Sequence, residues 1–248
     1  MSQSIRAVER ALDVLLCFSS KTPELSMTQI AEKIGINKST VHRLLATLEA
    51  KRFVQRDPIS ELYQPGNRLL QMAFLTLEKT DLPEIAAPYM KQLNEIHRET
   101  ITLSVLDDSE MVYVAVLESP QAVKLAAKPG QRLPAFCTAS GKVVIAYLPE
   151  DIVQHIFDQG FPEYTKNTIR SSETMLHILD RVIERGFAYS EQEYEEGINA
   201  VAAPILDKNK RPIAAIAVAG PAYRLSVQRM MEIGPSVANA ARELTREL

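Results

Sequence analysis

Apolar positions in the first 50 residues recur at helical spacing in three short runs. In the first, Ile5, Val8, Leu12, Leu15 and Leu16 share one helical face, which predicts a helix with that face against a core. The next two runs form a unit: Ile30, Ile34, Ile36, Val41, Leu44, Leu45 and Leu48 supply a shared apolar centre. Ala31 is small where two helices must approach, Gly35 permits a tight turn, and Val41 packs back. Ser26 followed by Gln29 is a capping-box pattern for the first of these helices, and Asn37 is an N-cap for the second. That spacing predicts a helix-turn-helix, whose second helix enters the DNA major groove.

With its apolar side turned inward, the second helix leaves Lys38, Ser39, Thr40, His42, Arg43 and Thr47 facing out. These side-chain types hold phosphates or read base edges, Arg pairing with guanine. A merely solvated amphipathic helix would show the same face; the turn glycine, Ala31 and a hairpin directly after the helix favour DNA. Residues 53–56 and 61–64 read as the two short strands of that hairpin, joined by turn chemistry at Asp57-Pro58-Ile59-Ser60, with no glycine at the tip. A ribbon after a recognition helix is a wing, placing Arg52 and Arg56 to meet the backbone or the adjacent minor groove.

Pro65-Gly66-Asn67 ends the wing. Leu69, Leu70, Ala73, Phe74 and Leu77 then mark a linker helix, its stripe expected between two copies of the chain. Beyond it the pattern predicts a helix over 84–97 and strands at 101–107, 111–119 and 122–127. Helices follow at 138–148 and 174–185, with three strands after Gly186 and a closing helix over 226–248. Two strand groups with helices between and around them indicate an α+β domain on an antiparallel sheet. The expected division is a winged helix-turn-helix domain over 1–65, a linker or dimerisation helix over 66–81, and an α+β domain over 82–248, which the resemblance described below makes the effector-binding domain.

The net charge of −3 hides an asymmetry: residues 1–80 carry 11 Lys/Arg against 8 Asp/Glu, residues 81–248 carry 17 against 23. A mildly basic head on an acidic body suits a nucleic-acid reader joined to a part that does not touch DNA. Cys17 and Cys137 are expected as reduced core residues. No signal-peptide pattern and no apolar run of membrane-spanning length occurs, so a cytoplasmic protein is expected. Gly141-Lys142 is not a P-loop, since Phe136 and Val143 stand where a glycine and a Ser or Thr would be needed. The four histidines lack zinc-ligand spacing, and no metal, cofactor or catalytic group is nominated.

GINKSTVHRLLATL, RAVERALDVLLCF and ELYQPGNRLLQM resemble the DNA-binding half of IclR-family bacterial transcriptional regulators. Independently, Gly186, Ser190, Glu193, Ala200-Val201-Ala202, Ile205 and Asp207 fall at the spacing of that family's C-terminal signature. Leu206 departs from it, standing where an aromatic or His is usual. The resemblance spans residues 3–245 and implies a GAF-like sensor domain, dimers or dimers of dimers on a palindromic operator, and a small-molecule effector. It implies an effector carboxylate at the helix start of TASGK (138–142), on the N–H groups of Ser140 and Gly141, with Ser190, Ala200, Ala217 and Ala219 completing the pocket. Members that bind small oxo-acids carry polar side chains at those last four positions. Three alanines here point to a larger, more apolar acid or carbonyl compound than pyruvate or glyoxylate. Repression is the expected direction of control. Two alternatives stay open: a DNA-binding regulator with no ligand, and an enzyme using the C-terminal pocket.

Overall fold

The computed structural model describes residues 5–19, 22–77 and 82–248, with backbone alone for 73–77. The chain divides into two compact units, Met1–Thr80 and Asp81–Leu248.

The first unit holds α1 (Arg6–Leu16), α2 (Met27–Ile34), α3 (Lys38–Ala50), β1 (Val54–Arg56), β2 (Tyr63–Pro65) and α4 (Asn67–Leu77). Helix α2 starts in a reciprocal cap: the Gln29 N–H donates to Ser26 Oγ, and the Ser26 N–H donates to Gln29 Oε1 at 2.8 Å. It ends at Gly35, whose φ of +64° is the left-handed conformation that lets the chain turn. Asn37 Oδ1 then accepts the Thr40 N–H at 2.9 Å and starts α3. Val14, Ile30, Ala31, Val41, Leu45, Val54 and Tyr63 close the core.

The face expected to bury α1 does not do so. Ile5, Val8, Leu12 and Leu16 are 69, 53, 54 and 81 % exposed, while Val14 is fully buried and Ala11, Leu15 and Phe18 pack beside it. Helix α1 carries two adjacent apolar stripes, and periodicity cannot say which meets the core. In the rotation adopted, Arg10 also donates to the Ile34 carbonyl at the end of α2, at 3.1 Å.

Strands β1 and β2 pair antiparallel, Val54 opposite Pro65 and Arg56 opposite Tyr63. Their turn works without glycine. Asp57 Oδ1 accepts the N–H groups of Ile59 and Ser60 at 2.9 and 2.7 Å, and Glu61 takes the positive φ of 60°. Those N–H groups, Ser60's first, hold the Asp57 carboxyl below its usual range.

The second unit comprises α5 (Leu82–His97), β3 (Thr100–Asp107), β4 (Glu110–Leu117), β5 (Arg132–Pro134), a 3-10 turn (Ala135–Cys137) and α6 (Ala139–Ile145). There follow α7 (Glu150–Asp158), α8 (Ser172–Arg185), β6 (Ala188–Glu191), β7 (Ile198–Leu206), β8 (Pro212–Pro221) and α9 (Val227–Glu247). The strands form one antiparallel sheet in the order β5-β4-β3-β8-β7-β6. One face packs on α5 and α9 through Ile101, Leu103, Val201, Ile216 and Val218. The other meets α6 and α8 through Ala188, Ala202, Ala215 and Ala217.

The strand expected over 122–127 is irregular chain instead. Its carbonyls are met by side chains rather than by a ladder: Arg224 Nη2 donates to Val123 O at 2.7 Å and Thr100 Oγ1 to Leu125 O at 3.5 Å. Residues Arg132–Pro134 take the place beside β4, opposite Met111.

Candidate functional site

In the first unit, the helix start at Asn37 and the core contacts of Val41, Leu45 and Leu48 fix the rotation of α3. Lys38, Ser39, Thr40, His42, Arg43 and Thr47 are all solvent-exposed as a result. Lys38 and Arg43 form no ion pair among the described residues, so their charges are available to DNA. Ser39 and Thr47 are partly committed, donating to Asn37 Oδ1 at 3.0 Å and to the Arg43 carbonyl at 2.9 Å. Thr40, Arg43 and Thr47 line one wall of a groove whose other wall, on α1, brings Arg6 and Arg10.

Arg56 is less free than its position on the wing suggested. Its Nη2 lies 3.1 Å from Glu61 Oε1 and its guanidinium stacks 5.6 Å from the Tyr63 ring centre, so a phosphate would have to displace an exposed ion pair. Arg52, in contrast, lines a hollow with Lys51 and Arg68, and no carboxylate lines it. Arg52 has a φ of 61°, and Gly66 lies so close to its carbonyl that a side chain there would collide. Lys51 and Arg68 were not anticipated, although the Lys51-Arg52 doublet at a helix end was a visible signal.

Of the stripe expected on α4, Leu70 is 58 % exposed and Leu69 half-buried. The side chains of Ala73, Phe74 and Leu77 lie outside the described residues.

In the second unit a small cavity of about 60 Å³ lies between the sheet, the start of α6 and the 118–131 connection. Ser140, Ser190, Ala200, Ala217 and Ala219 line it. Gly141 does not. Its N–H donates to Thr138 Oγ1 at 3.1 Å, and a side chain there would strike the Ala135 carbonyl, so this glycine serves the close packing of α6 on the 3-10 turn. The N–H groups that α6 leaves without an acceptor among the described residues are those of Ala139 and Ser140.

The wall is more polar than the alanines implied. Thr102 on β3, Tyr113 on β4 and Tyr194 also line it. Burial pushes the Tyr113 phenol up to about 12, so it remains a neutral hydroxyl. The Cys137 thiol, also in the wall, is pushed up to about 12 by burial first and by Glu193 second. A thiol that holds its proton at neutral pH is a poor nucleophile.

Behind the cavity Lys142, on the helix that carries Ser140, forms an ion pair with Glu193 and donates to the Tyr189 carbonyl at 3.1 Å. The two side chains are 2 and 7 % exposed. Burial lowers the Lys142 pKa and raises that of Glu193; each partner opposes the other's shift. Thr168 Oγ1 donates to the Glu193 carbonyl at 2.7 Å and steadies the loop between Ser190 and Tyr194. Among the described residues no cluster of His, Cys, Asp or Glu could hold a metal ion, and no helix is long and apolar enough to cross a membrane.

A winged helix-turn-helix unit and a second unit with an internal cavity define a DNA reader coupled to a further module. Comparison with known proteins names the group. The family model for the IclR helix-turn-helix domain matches residues 7–58, and that for the bacterial transcriptional regulator IclR C-terminal domain matches residues 74–246. The chain is similar to the HTH-type transcriptional regulator KdgR of Escherichia coli, 29 % identical over 99 % of this chain and 93 % of that one. It is similar to the transcriptional repressor IclR of the same organism, 28 % identical over 97 and 89 %. An IclR homologue of Microbacterium hydrocarbonoxydans, solved in complex with 4-hydroxybenzoate, shares the fold at a TM-score of 0.85 and 22 % identity, over 98 and 100 % of the two chains. The chain belongs to the IclR family of DNA-binding transcriptional regulators.

Proposed function

We propose that this regulator is a repressor released or engaged by a small organic acid or carbonyl compound that occupies the cavity of the second unit. The observation that carries the reading is the cavity itself: an apolar floor of Ala200, Ala217 and Ala219 beside the unbonded N–H groups of Ala139 and Ser140. Such a site accepts oxygen atoms without presenting a cation, so it suits a molecule whose bulk is apolar. The alanines favour an effector larger than pyruvate or glyoxylate. The relative named a transcriptional repressor supports the direction of control. The enzyme reading is disfavoured by the protonated Cys137 thiol.

Ligand alters DNA affinity only by binding one state of the protein better than another. We place the DNA contacts on Lys38, Ser39, Thr40, His42, Arg43, Thr47 and Arg52, and assign Arg56 to phosphate once its pair with Glu61 opens. A palindromic operator would be read by two copies. Pairing through α4, joined by the exposed stripe Ile5, Val8, Leu12 and Leu16 of α1, would remove apolar surface from water. DNA as partner places the work in the cytoplasm.

The test is operator binding by fluorescence anisotropy while organic acids are added, with thermal shift in parallel. A compound that stabilises the protein and shifts operator affinity supports the reading. Operator affinity unchanged across a broad metabolite screen would favour a regulator without a ligand.

A further inference from the structure

Thr102 is 1 % exposed, forms part of the cavity wall, and its Oγ1 has no hydrogen-bond partner. A buried hydroxyl left unpaired destabilises a fold, so proteins rarely keep one without a partner to receive. Its neighbour on the same strand face, Thr100, is fully engaged, accepting the Ser119 N–H at 3.2 Å and donating to Leu125 O. Ser104, next on that face, also leaves its Oγ unpaired but does not line the cavity, so of the two open hydroxyls on β3 only Thr102 can reach a guest there.

Strand register fixes where Thr102 lies relative to the other polar wall residue, Ser190. Ser190 pairs with Ala200, Ala200 with Ala219, and Ala219 with Thr100; one step along, Thr102 pairs with Ala217. The cavity floor thus runs from a hydroxyl on β6, across alanines on β7 and β8, to a hydroxyl on β3. Three interstrand spacings place those two strands about 14 Å apart on a flat sheet. Hydrogen bonds of about 2.8 Å at the two ends leave room for a ring or short chain between two oxygen atoms. Ser190 Oγ also makes no hydrogen bond to the described residues.

We infer that Thr102 is a specificity residue of the cavity, receiving a neutral hydroxyl or carbonyl oxygen of a two-ended effector whose apolar middle lies on Ala217 and Ala219 and whose acidic end lies toward Ser190. This rests on the cavity being the effector site. The effector class is then a hydroxy or oxo acid with its second oxygen separated from the carboxylate by an aromatic ring or a short alkyl chain. A plain aryl or alkyl acid leaves Thr102 unpaired and gains nothing from it.

The test uses the full chain and matched probes: benzoate against 4-hydroxybenzoate, and hexanoate against 6-hydroxyhexanoate, by calorimetry. At least one two-ended probe is expected to bind the natural protein about tenfold or more tightly than its one-ended match, the equivalent of one buried hydrogen bond. Thr102→Val keeps the shape and removes the hydroxyl. It should erase that difference while leaving the one-ended probe's affinity unchanged, and the ligand-free variant should melt at or above the natural temperature. Ser190→Ala should weaken both members of a pair alike. A preference retained in Thr102→Val, a lower melting temperature for that variant, or failure of every two-ended probe to bind overturns the inference. Two-ended probes that bind as stated but leave operator affinity unchanged would uphold the Thr102 subsite and refute the effector reading instead.

Discussion

Replacing Lys142 by Met removes one side of an ion pair whose members are almost wholly enclosed. Glu193 then faces no cation, and its second oxygen, Oε2, already has no partner. Breaking a buried pair from one side costs about 3–5 kcal/mol, because the remaining charge stays desolvated. At about 2–4 °C per kcal/mol for a unit of this size, the melting temperature should fall by about 6–20 °C. The sign of the pH dependence separates this from a simple packing defect. In Lys142→Met the folded Glu193 has a raised pKa, so it folds protonated; the destabilisation is small at about pH 5 and deepens as pH rises toward the folded value. Glu193→Gln leaves Lys142 buried with a lowered pKa, and its destabilisation should shrink as pH rises through the alkaline range. The neighbours sharpen both effects, since Arg185 disfavours the charged lysine and Glu191 the charged glutamate. The double change Lys142→Met, Glu193→Leu should recover most of the loss. The chain has no tryptophan and seven of its eight tyrosines lie beyond residue 81, so tyrosine near-ultraviolet circular dichroism reports the second unit. A Lys142→Met protein that melts within a degree or two of the natural one, or whose loss is flat between pH 5 and 8, refutes the reasoning.

The geometry yields three further expected outcomes. Arg43→Ala should weaken operator binding by about 1–3 kcal/mol and relax specificity at one position per half-site, whereas Lys38→Ala should weaken all DNA alike and lower the salt slope by about one; equal operator and random-DNA affinities unchanged by Arg43→Ala would show that α3 does not read bases. Ala217→Leu fills the cavity floor and should abolish effector binding in calorimetry while the protein still melts cooperatively; undiminished binding would move the ligand elsewhere. Leu12→Glu, on the exposed face of α1, should shift sedimentation toward the monomer and weaken operator binding without unfolding the first unit; an unchanged oligomer with full affinity would exclude that face from the contact.

Short-range devices were legible before the fold was known. The caps at Ser26 and Asn37 and the turn at Gly35 each depend on residues within four positions, and each is found where its local chemistry requires. Rotation about a helix axis is not local. Helix α1 could bury either of two stripes, and the one buried meets partners distant in sequence, among them the Ile34 carbonyl that accepts from Arg10. The same limit explains residues 122–127, whose backbone partners come from Thr100 and Arg224, and Gly141, whose smallness serves a contact with Ala135 rather than a ligand.

The cavity left a signal that hydrophobicity alone could not show, because alanine counts as apolar. On β8 the face toward α9 carries Ile216 and Val218, and the opposite face carries Ala215, Ala217 and Ala219. Strand β7 sets Val201 against Ala200 and Ala202, and β3 sets Ile101 and Leu103 against Thr100, Thr102 and Ser104. Three adjacent strands therefore alternate in side-chain size, and only β3 alternates in polarity as well. A face of alanine and small hydroxyl side chains cannot fill the roughly 10 Å gap beneath a covering layer unless the cover comes close. Helix α6 packs over Ala202 and Ala215, with the small Ala139 in the same cluster. Past the start of that helix the cover is the irregular 118–131 connection, contributing Leu125 and Ala127, and the gap stays open. The hydroxyl of Thr102 falls on the open side of that boundary, where a guest can meet it.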